Sequence, residues 1–244
     1  MAFKTEAFVL RARSWQKADR LYDLFLPNEG VVAAVLRSAA RPGNKLAGQM
    51  LPFSKVRVML GRGRMDHLAG ADTLLDYRYL RQDMRLMTLA AAVVEIILHD
   101  HSHGQKYKEF LLLENIFTLL NDQDLSIEHK LQLVRVFLWK YFSLSGWQPR
   151  LDYCYHCGKA ADKQSSQYVP GRGIICNDHN DQTAVDISPA LLEWLSFILN
   201  HDWTDILDSP INQKLNKEWG QLSKLSYQTV FEQPANALKL LNYA

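Results

Sequence analysis

Three cysteines and a histidine carry the strongest chemical signal in the chain. They fall as Cys154-Tyr155-His156-Cys157, then 18 intervening residues, then Cys176-Asn177-Asp178-His179. Each short pair places two ligands on one tight turn, and two such turns supply the corners of a tetrahedron. Zinc takes Cys3His sets of this kind at about 2.0–2.3 Å. Every cysteine of the chain lies in this pattern. Gly158 after the first pair, with Gly171 and Gly173 before the second, suits the tight turns of a zinc ribbon. His156 sits inside the first pair and is the alternative to Cys157, which is preferred. With Cys154, Cys157, Cys176 and His179 as ligands, no coordination position remains for a reactive water. The expected zinc is therefore structural, which argues against metal catalysis. The bland alternative is a degenerate, metal-free knuckle.

Other candidates for chemistry are weaker. His99-Asp100-His101-Ser102-His103 has metal-ligating residue types in alternation, and a metallo-hydrolase could be built on His99, His101 and His103. The segment lacks the closing Asp-His pair of such sites and follows a helical pattern rather than a strand. The preferred reading is a polar helix end, where histidine complements the helix dipole. Gly61-Arg62-Gly63 lacks the rest of a phosphate loop and reads as a hairpin turn. Neither a G-x-S-x-G elbow nor an H-E-x-x-H helix is present. Nothing in the sequence nominates an enzyme.

Basic residues are the better lead. The net charge is only +2, but it is unevenly spread. Residues 1–80 hold 13 Lys and Arg against 7 Asp and Glu, and residues 181–244 hold 4 against 8. A basic first third with an acidic tail is the asymmetry expected of a nucleic-acid binder; the alternative is chance imbalance on solvated faces. The cations cluster as Arg11, Arg13, Lys17 and Arg20, then Arg37, Arg41 and Lys45, then Lys55, Arg57, Arg62 and Arg64. Presented on one side, they would track phosphates and release counterions. Trp15, Tyr22 and Phe53 could add base stacking, although Phe53 is preferred as a core residue. No base-edge readout is expected.

The elements that must position these groups follow from periodicity. Over residues 1–80, short strands alternate with turns: Ala7–Leu10, Leu21–Leu26, Val31–Leu36, Lys55–Met59 and Met65–Leu75. Period two puts Lys55 and Arg57 on one face. Five short strands suggest a small closed barrel such as an OB-fold. Near Tyr79 the pattern turns helical: Met84–His99, Tyr107–Leu120, then Ile127–Ser145 stopped by Gly146. Ser188-Pro189 and Ser209-Pro210 each open a further helix. The expected fold is α+β: an OB-fold barrel over 1–80, a helical domain over 81–150 and 184–244, and a zinc-ribbon-like insertion at 151–183. With 48% hydrophobic residues the chain can bury such cores. It has no apolar run of about 18 residues, the length that spans a bilayer. Met1–Leu10 has no signal-peptide core, so the expected location is the cytoplasm.

These residues resemble a known family. Ala7-Phe8-Val9-Leu10, Leu21-Tyr22-Asp23-Leu24-Phe25 and Gly30 are similar to the opening of the RecO recombination mediators. Arg37-Ser38-Ala39 through Leu46, Gly48 and Pro52-Phe53 resembles their basic barrel loop. Leu144-Ser145-Gly146-Trp147-Gln148-Pro149 running into Cys154 and Cys157 resembles their helical core entering a zinc-finger region. The likeness covers about the first 180 residues. There are departures: the family loop usually reads Lys-Gly-Ala-Arg, where this chain has Arg37-Ser38-Ala39-Ala40. Lys17 stands where many members carry an acid, and His179 where cysteine is frequent.

The resemblance implies a non-enzymatic role in recombinational DNA repair, at the nucleoid. It implies binding of single- and double-stranded DNA through the barrel and annealing of complementary strands; the basic clusters nominate Arg11, Arg13, Arg37, Arg41, Lys45, Arg57, Arg62 and Arg64 as the residues that contact the DNA. It also implies loading of RecA, with RecR and in some members RecF, onto strands coated by single-stranded DNA-binding protein (SSB). The acidic, Phe-terminated SSB tail would dock in the helical domain. Arg135 falls at a matching basic position there, with Lys130 and Lys140 as helpers or as solvated helix positions. The runner-up reading is a zinc-ribbon assembly module without intrinsic DNA affinity.

Overall fold

The computed structural model describes residues 2–102, 104–160 and 166–236. The chain divides into two compact units, Met1–Leu125 and Ser126–Ala244.

In the first unit, β1 (Ala2–Trp15), β2 (Asp19–Leu26), β3 (Gly30–Leu36), β4 (Lys55–Gly61) and β5 (Asp66–Leu75) close a barrel in the order β1-β2-β3-β5-β4. It is the OB-type barrel expected. The long first strand makes closure feasible. It pairs with β4 through Ala2–Phe8 and with β2 through Phe8–Trp15. A register shift between Val9 and Arg11 bends the strand between its two partners. β3 meets β5 in parallel at Ala34–Asp66 and Val35–His67 and completes the ring.

β1 is far longer than the expected Ala7–Leu10, and Arg11 and Arg13 lie within it rather than beside it. The reason is local burial. Ala7–Leu10 is buried on both faces, whereas the flanking residues are largely exposed or half-buried. An apolar run therefore marks just its middle. Phe8 points away from the barrel core, to Phe110 at 4.8 Å and Phe117 at 5.7 Å between ring centroids. Val9, Tyr22, Leu24, Val56, Val58 and Leu60 fill the inside. A short helix, α1 (Lys45–Gln49), occupies a stretch expected to be loop. The Asn44 side chain starts it by accepting from Ala47 N.

Two helices, α2 (Met84–His99) and α3 (Tyr107–Asn121), belong to this same unit. Phe110 and Phe117 of α3 meet Phe8, Phe25, Phe53 and Tyr77 in a ring cluster. Lys55 bridges Glu6 and Glu114, each at 3.0 Å. Burial opposes its charge, but the two carboxylates outweigh burial and raise its pKa. Lys55 thus latches barrel to helix and does not share the open face of Arg57.

The second unit is built on α4 (Ile127–Leu144). Ser126 caps its start by accepting from His129 N. Its end closes at Gly146, where a positive φ of 87° lets Trp147 N reach Phe142 O at 2.8 Å. Three strands, β6 (Ser166–Val169), β7 (Gly173–Ile175) and β8 (Val185–Ile187), form a small antiparallel sheet ordered β7-β6-β8. Then come α5 (Pro189–Asn200), α6 (Trp203–Leu207) and α7 (Gln213–Phe231). Ser188-Pro189 opens α5 as expected. Ser209-Pro210 does not open α7. The Asn212 side chain caps that helix by accepting from Leu215 N, while Ser209 donates to Asp205 O behind α6. Among the described residues no helix is long and apolar enough to cross a membrane.

Candidate metal centre and nucleic-acid interface

Two backbone turns build the metal centre. Gly158 N donates to Cys154 O at 2.9 Å, and His179 N donates to Cys176 O at 3.0 Å. Each turn brings a residue and its third neighbour to the same side. The turns are held together by the small sheet, since β7 runs directly into Cys176. Gly173 is needed there, because a Cβ would lie 2.3 Å from the Arg150 carbonyl oxygen. The result is a group of Cys154, Cys157, Cys176 and His179 whose ligand atoms all lie within 4.8 Å of one another. Cys157 Sγ and Cys176 Sγ are 3.7 Å apart. A tetrahedron with 2.3 Å metal–sulfur bonds has an edge of about 3.8 Å. The donor set therefore fits a tetrahedral metal ion.

The electrostatics agree. Burial disfavours the Cys154 thiolate, but N–H groups of Cys157, Cys176 and His156 point at it and bring its pKa down to about 6. Such N–H donors stabilise a metal-bound thiolate. His156, the alternative ligand, is exposed and lies tilted against the His179 ring, with centroids 4.2 Å apart, outside the group. The second histidine candidate finds no such geometry. His99 closes α2, and Asp100 pairs with buried Lys106 at 3.0 Å. Among the described residues His99 and His101 form no metal-ligand group; His103 lies outside the described residues.

The basic residues of the barrel fall into two sets. Arg11 and Arg13 both pair with Asp23, a buried carboxylate on β2, and Arg62 pairs with Glu29 and Asp66 while lying over the Phe3 ring. These charges are locally offset. Arg37, Arg41, Lys45, Arg57 and Arg64 are exposed and make no ion pair among the described residues. The turn carrying Arg37 and Arg41 is held by neutral and acidic neighbours. Ser38 N donates to Asp19 Oδ1 at 2.7 Å, and the Asn44 amide donates to Ser38 O at 3.1 Å. We expect Asn44→Ala to cost about 1 kcal/mol by loss of the helix cap. Urea denaturation measures that cost. Of the stacking candidates, Tyr22 is corrected: it is fully buried in the barrel core and cannot meet a base. Phe53 is buried as preferred, and Trp15 is half-buried.

Comparison with known proteins accounts for both units. Two family models match, Recombination protein O N terminal over residues 1–74 and Recombination protein O C terminal over residues 81–239. The chain belongs to the RecO family. A DNA repair protein RecO from Symbiobacterium thermophilum is 31% identical over 209 residues, covering 82% of this chain and 81% of its own. One from Dehalococcoides mccartyi is 26% identical over 243 residues, covering 98% and 95%. One from Bifidobacterium longum is 25% identical over 248 residues, covering 98% of each. Membership supports a role for this RecO chain in DNA repair by recombination.

RecO residues expected on a basic rim of the second unit have different surroundings. Lys130 is 2% exposed. It shares the inward face of α4 with Val134, Phe137 and Tyr141, so it is neither solvated nor on a rim. Arg135 is also buried, donating to Asn216 and lying 5.8 Å from the Trp219 ring. Burial lowers its pKa to about 10, which leaves it cationic at neutral pH. A Cβ at Gly220 would sit 3.2 Å from its Nη2, so the glycine makes room for the guanidinium. Lys140 is half-buried, donating to His201 O at 2.7 Å beside Trp203. The sequence alone missed Asn216, Trp219 and Gly220, because they lie on a helix about 80 positions away and carry no motif.

Proposed function

We propose that this RecO-family chain is a DNA-binding recombination mediator that performs no bond chemistry. The observation that carries this reading is the set of exposed, unpaired cations on the OB-type barrel: Arg37, Arg41, Lys45, Arg57 and Arg64. These neutralise phosphates of single- and double-stranded DNA and release counterions. Two strands held on such a surface repel each other less, which favours annealing. With RecR, and with RecF where it takes part, the chain loads RecA on SSB-coated strands, in the cytoplasm at the nucleoid. Arg11, Arg13 and Arg62 contribute less, because carboxylates already offset their charge.

The Cys3His group holds zinc. Bound there, the metal ties the two turns together and supplies a structural crosslink. Cys154, Cys157, Cys176 and His179 fill its coordination sphere, and Tyr155 and Lys159 brace the turns through Asp181 and Asp178.

The second unit docks the acidic SSB tail through Arg135. A guanidinium without a carboxylate partner among the described residues, beside an indole, suits a carboxylate on an aromatic residue. Lys140 adds positive charge, whereas Lys130 lies too deep to reach a peptide. The test pairs two titrations on the full chain. The wild type should bind single-stranded DNA with an affinity that falls steeply with salt. Arg135→Ala should weaken a labelled acidic, Phe-ended peptide on the order of ten- to a hundredfold, as expected for a lost charged contact of about 1.5–3 kcal/mol, and leave DNA binding unchanged. Wild-type DNA binding that is absent at low salt would favour the assembly-module reading. Equal loss of both ligands would argue against separate sites.

A further inference from the structure

The barrel carries a groove that the basic loop does not explain. It has a volume of about 540 Å³ and lies on the outer face of β1, β4 and β5, with α1 along one side. Register builds it: Lys4 faces Met59 and Met59 faces Gly70, while Arg57 faces Asp72. Lys4, Lys45 and Arg57 stand among its lining residues, with Asp72 as the acid. Its other lining includes Leu46, Met59, Gly70 and Ala71. Met59 is 37% exposed although it is apolar. Gly70 leaves the groove open, since a Cβ there would meet just Met59 Cβ at an ordinary 3.5 Å.

Three cations against one acid favour a polyanion, and an apolar floor between them favours an apolar face on that polyanion. Single-stranded DNA offers both. Its phosphates are spaced along a flexible backbone, and its unpaired bases can turn a flat face to the floor. A duplex keeps those faces inside its stack. The volume falls within the roughly 300–1,000 Å³ of small-ligand sites, so the groove holds a short piece of a strand. Methionine adapts its shape to different partners, which suits binding without sequence preference. The groove is continuous in sequence with the basic turn, because Lys45 and Leu46 follow Arg37 and Arg41 through Asn44 directly into α1.

We propose that this groove is a strand-selective subsite, in which Lys4, Lys45 and Arg57 hold phosphates and the Met59–Gly70 floor takes an unpaired base. The proposal rests on the DNA-binding reading above and adds to it a means of preferring single strands. Lys4 is the phosphate ligand not recognised from sequence.

The test measures fluorescence anisotropy of the full chain with labelled oligothymidylate and with a labelled duplex, across a salt series. Gly70→Leu fills the floor without changing charge. It should weaken oligothymidylate binding about tenfold, leave its salt slope unchanged, and alter duplex binding less than twofold. Gly70→Ala, which adds one carbon at ordinary contact distance, should bind as wild type and shows that the strand pairing tolerates the position. Lys4→Glu should weaken oligothymidylate binding and flatten its salt slope by about 0.7, the loss of one single-strand phosphate contact; an unchanged slope would overturn the role of Lys4. If Gly70→Leu weakens both ligands alike, or neither, the subsite is overturned while DNA binding by the barrel stands. If the wild type binds neither ligand, the DNA-binding reading itself falls, and the subsite with it.

Discussion

Cys154→Ser should strip the chain of its metal. Zinc measured by mass spectrometry on the purified protein should fall from equimolar to near zero, because a neutral serine hydroxyl is a poor substitute for thiolate. Cys154 is the most buried of the four ligands and receives three backbone N–H groups. Its loss removes both a metal bond and the centre of those hydrogen bonds. Structural zinc sites of this class bind with apparent free energies of about 10–16 kcal/mol. Without the metal, that contribution is lost to a sheet of three short strands. The turns at 154–158 and 176–179 should therefore open and become protease-sensitive.

The barrel should survive this change. Its core is a separate cluster around Tyr22, Leu24 and Val58, in the other compact unit. DNA affinity of Cys154→Ser should stay within about twofold of wild type, consistent with the metal as a scaffold. Metal retained by the variant would place the ion elsewhere. Retention together with hydrolytic turnover would revive the histidine-centred hydrolase reading.

Charge reversal at Arg37 and Arg41 should have the larger effect on DNA. Each exposed arginine that contacts a phosphate contributes about 0.9 to the salt slope on duplex and about 0.7 on single strands. Arg37→Glu with Arg41→Glu removes two such contacts and adds two repulsive charges. The slope of log K against log salt should flatten by about 1.4 on single strands, and affinity at low salt should fall on the order of a hundredfold. Folding should be spared, because Asp19 and Asn44 hold the turn through backbone groups. Arg62→Glu is the informative comparison. Its guanidinium is already shared by Glu29 and Asp66, so its reversal should weaken binding less than reversal at Arg37 and Arg41. Unchanged affinity and slope in the double variant would show that the basic turn is not the DNA site.

Much of this was legible in the sequence, for local reasons. The metal ligands were found by spacing, because a C-x2-C turn is a short-range object and no distant residue is needed to recognise it. The barrel followed from alternation and turn residues, and three long helices from their 3.6-residue period, with Gly146 ending the third and Ser188 opening α5. The two misreadings have different causes. Ser209-Pro210 reads as a good helix start, but the structure caps α7 with Asn212, three residues on, and local chemistry does not rank the two. The full length of β1 was hidden because apolar residues lie on both faces just where Phe8 meets α3.

Charge is where the tertiary structure decided most. The sequence by itself determined how many cations the first 80 residues carry, and that a Cys3His metal group can form. It did not determine which cations are free. Asp23 lies close in sequence to Arg11, but it pairs with it across two strands, and Glu29 reaches Arg62 across 33 positions. Lys55 is drawn off by Glu114, 59 positions away. Ion pairing depends on distances of a few ångströms between side chains from separate elements. Closing the barrel and packing α3 on it set those distances, which sorts one basic segment into paired residues and an exposed, unpaired set.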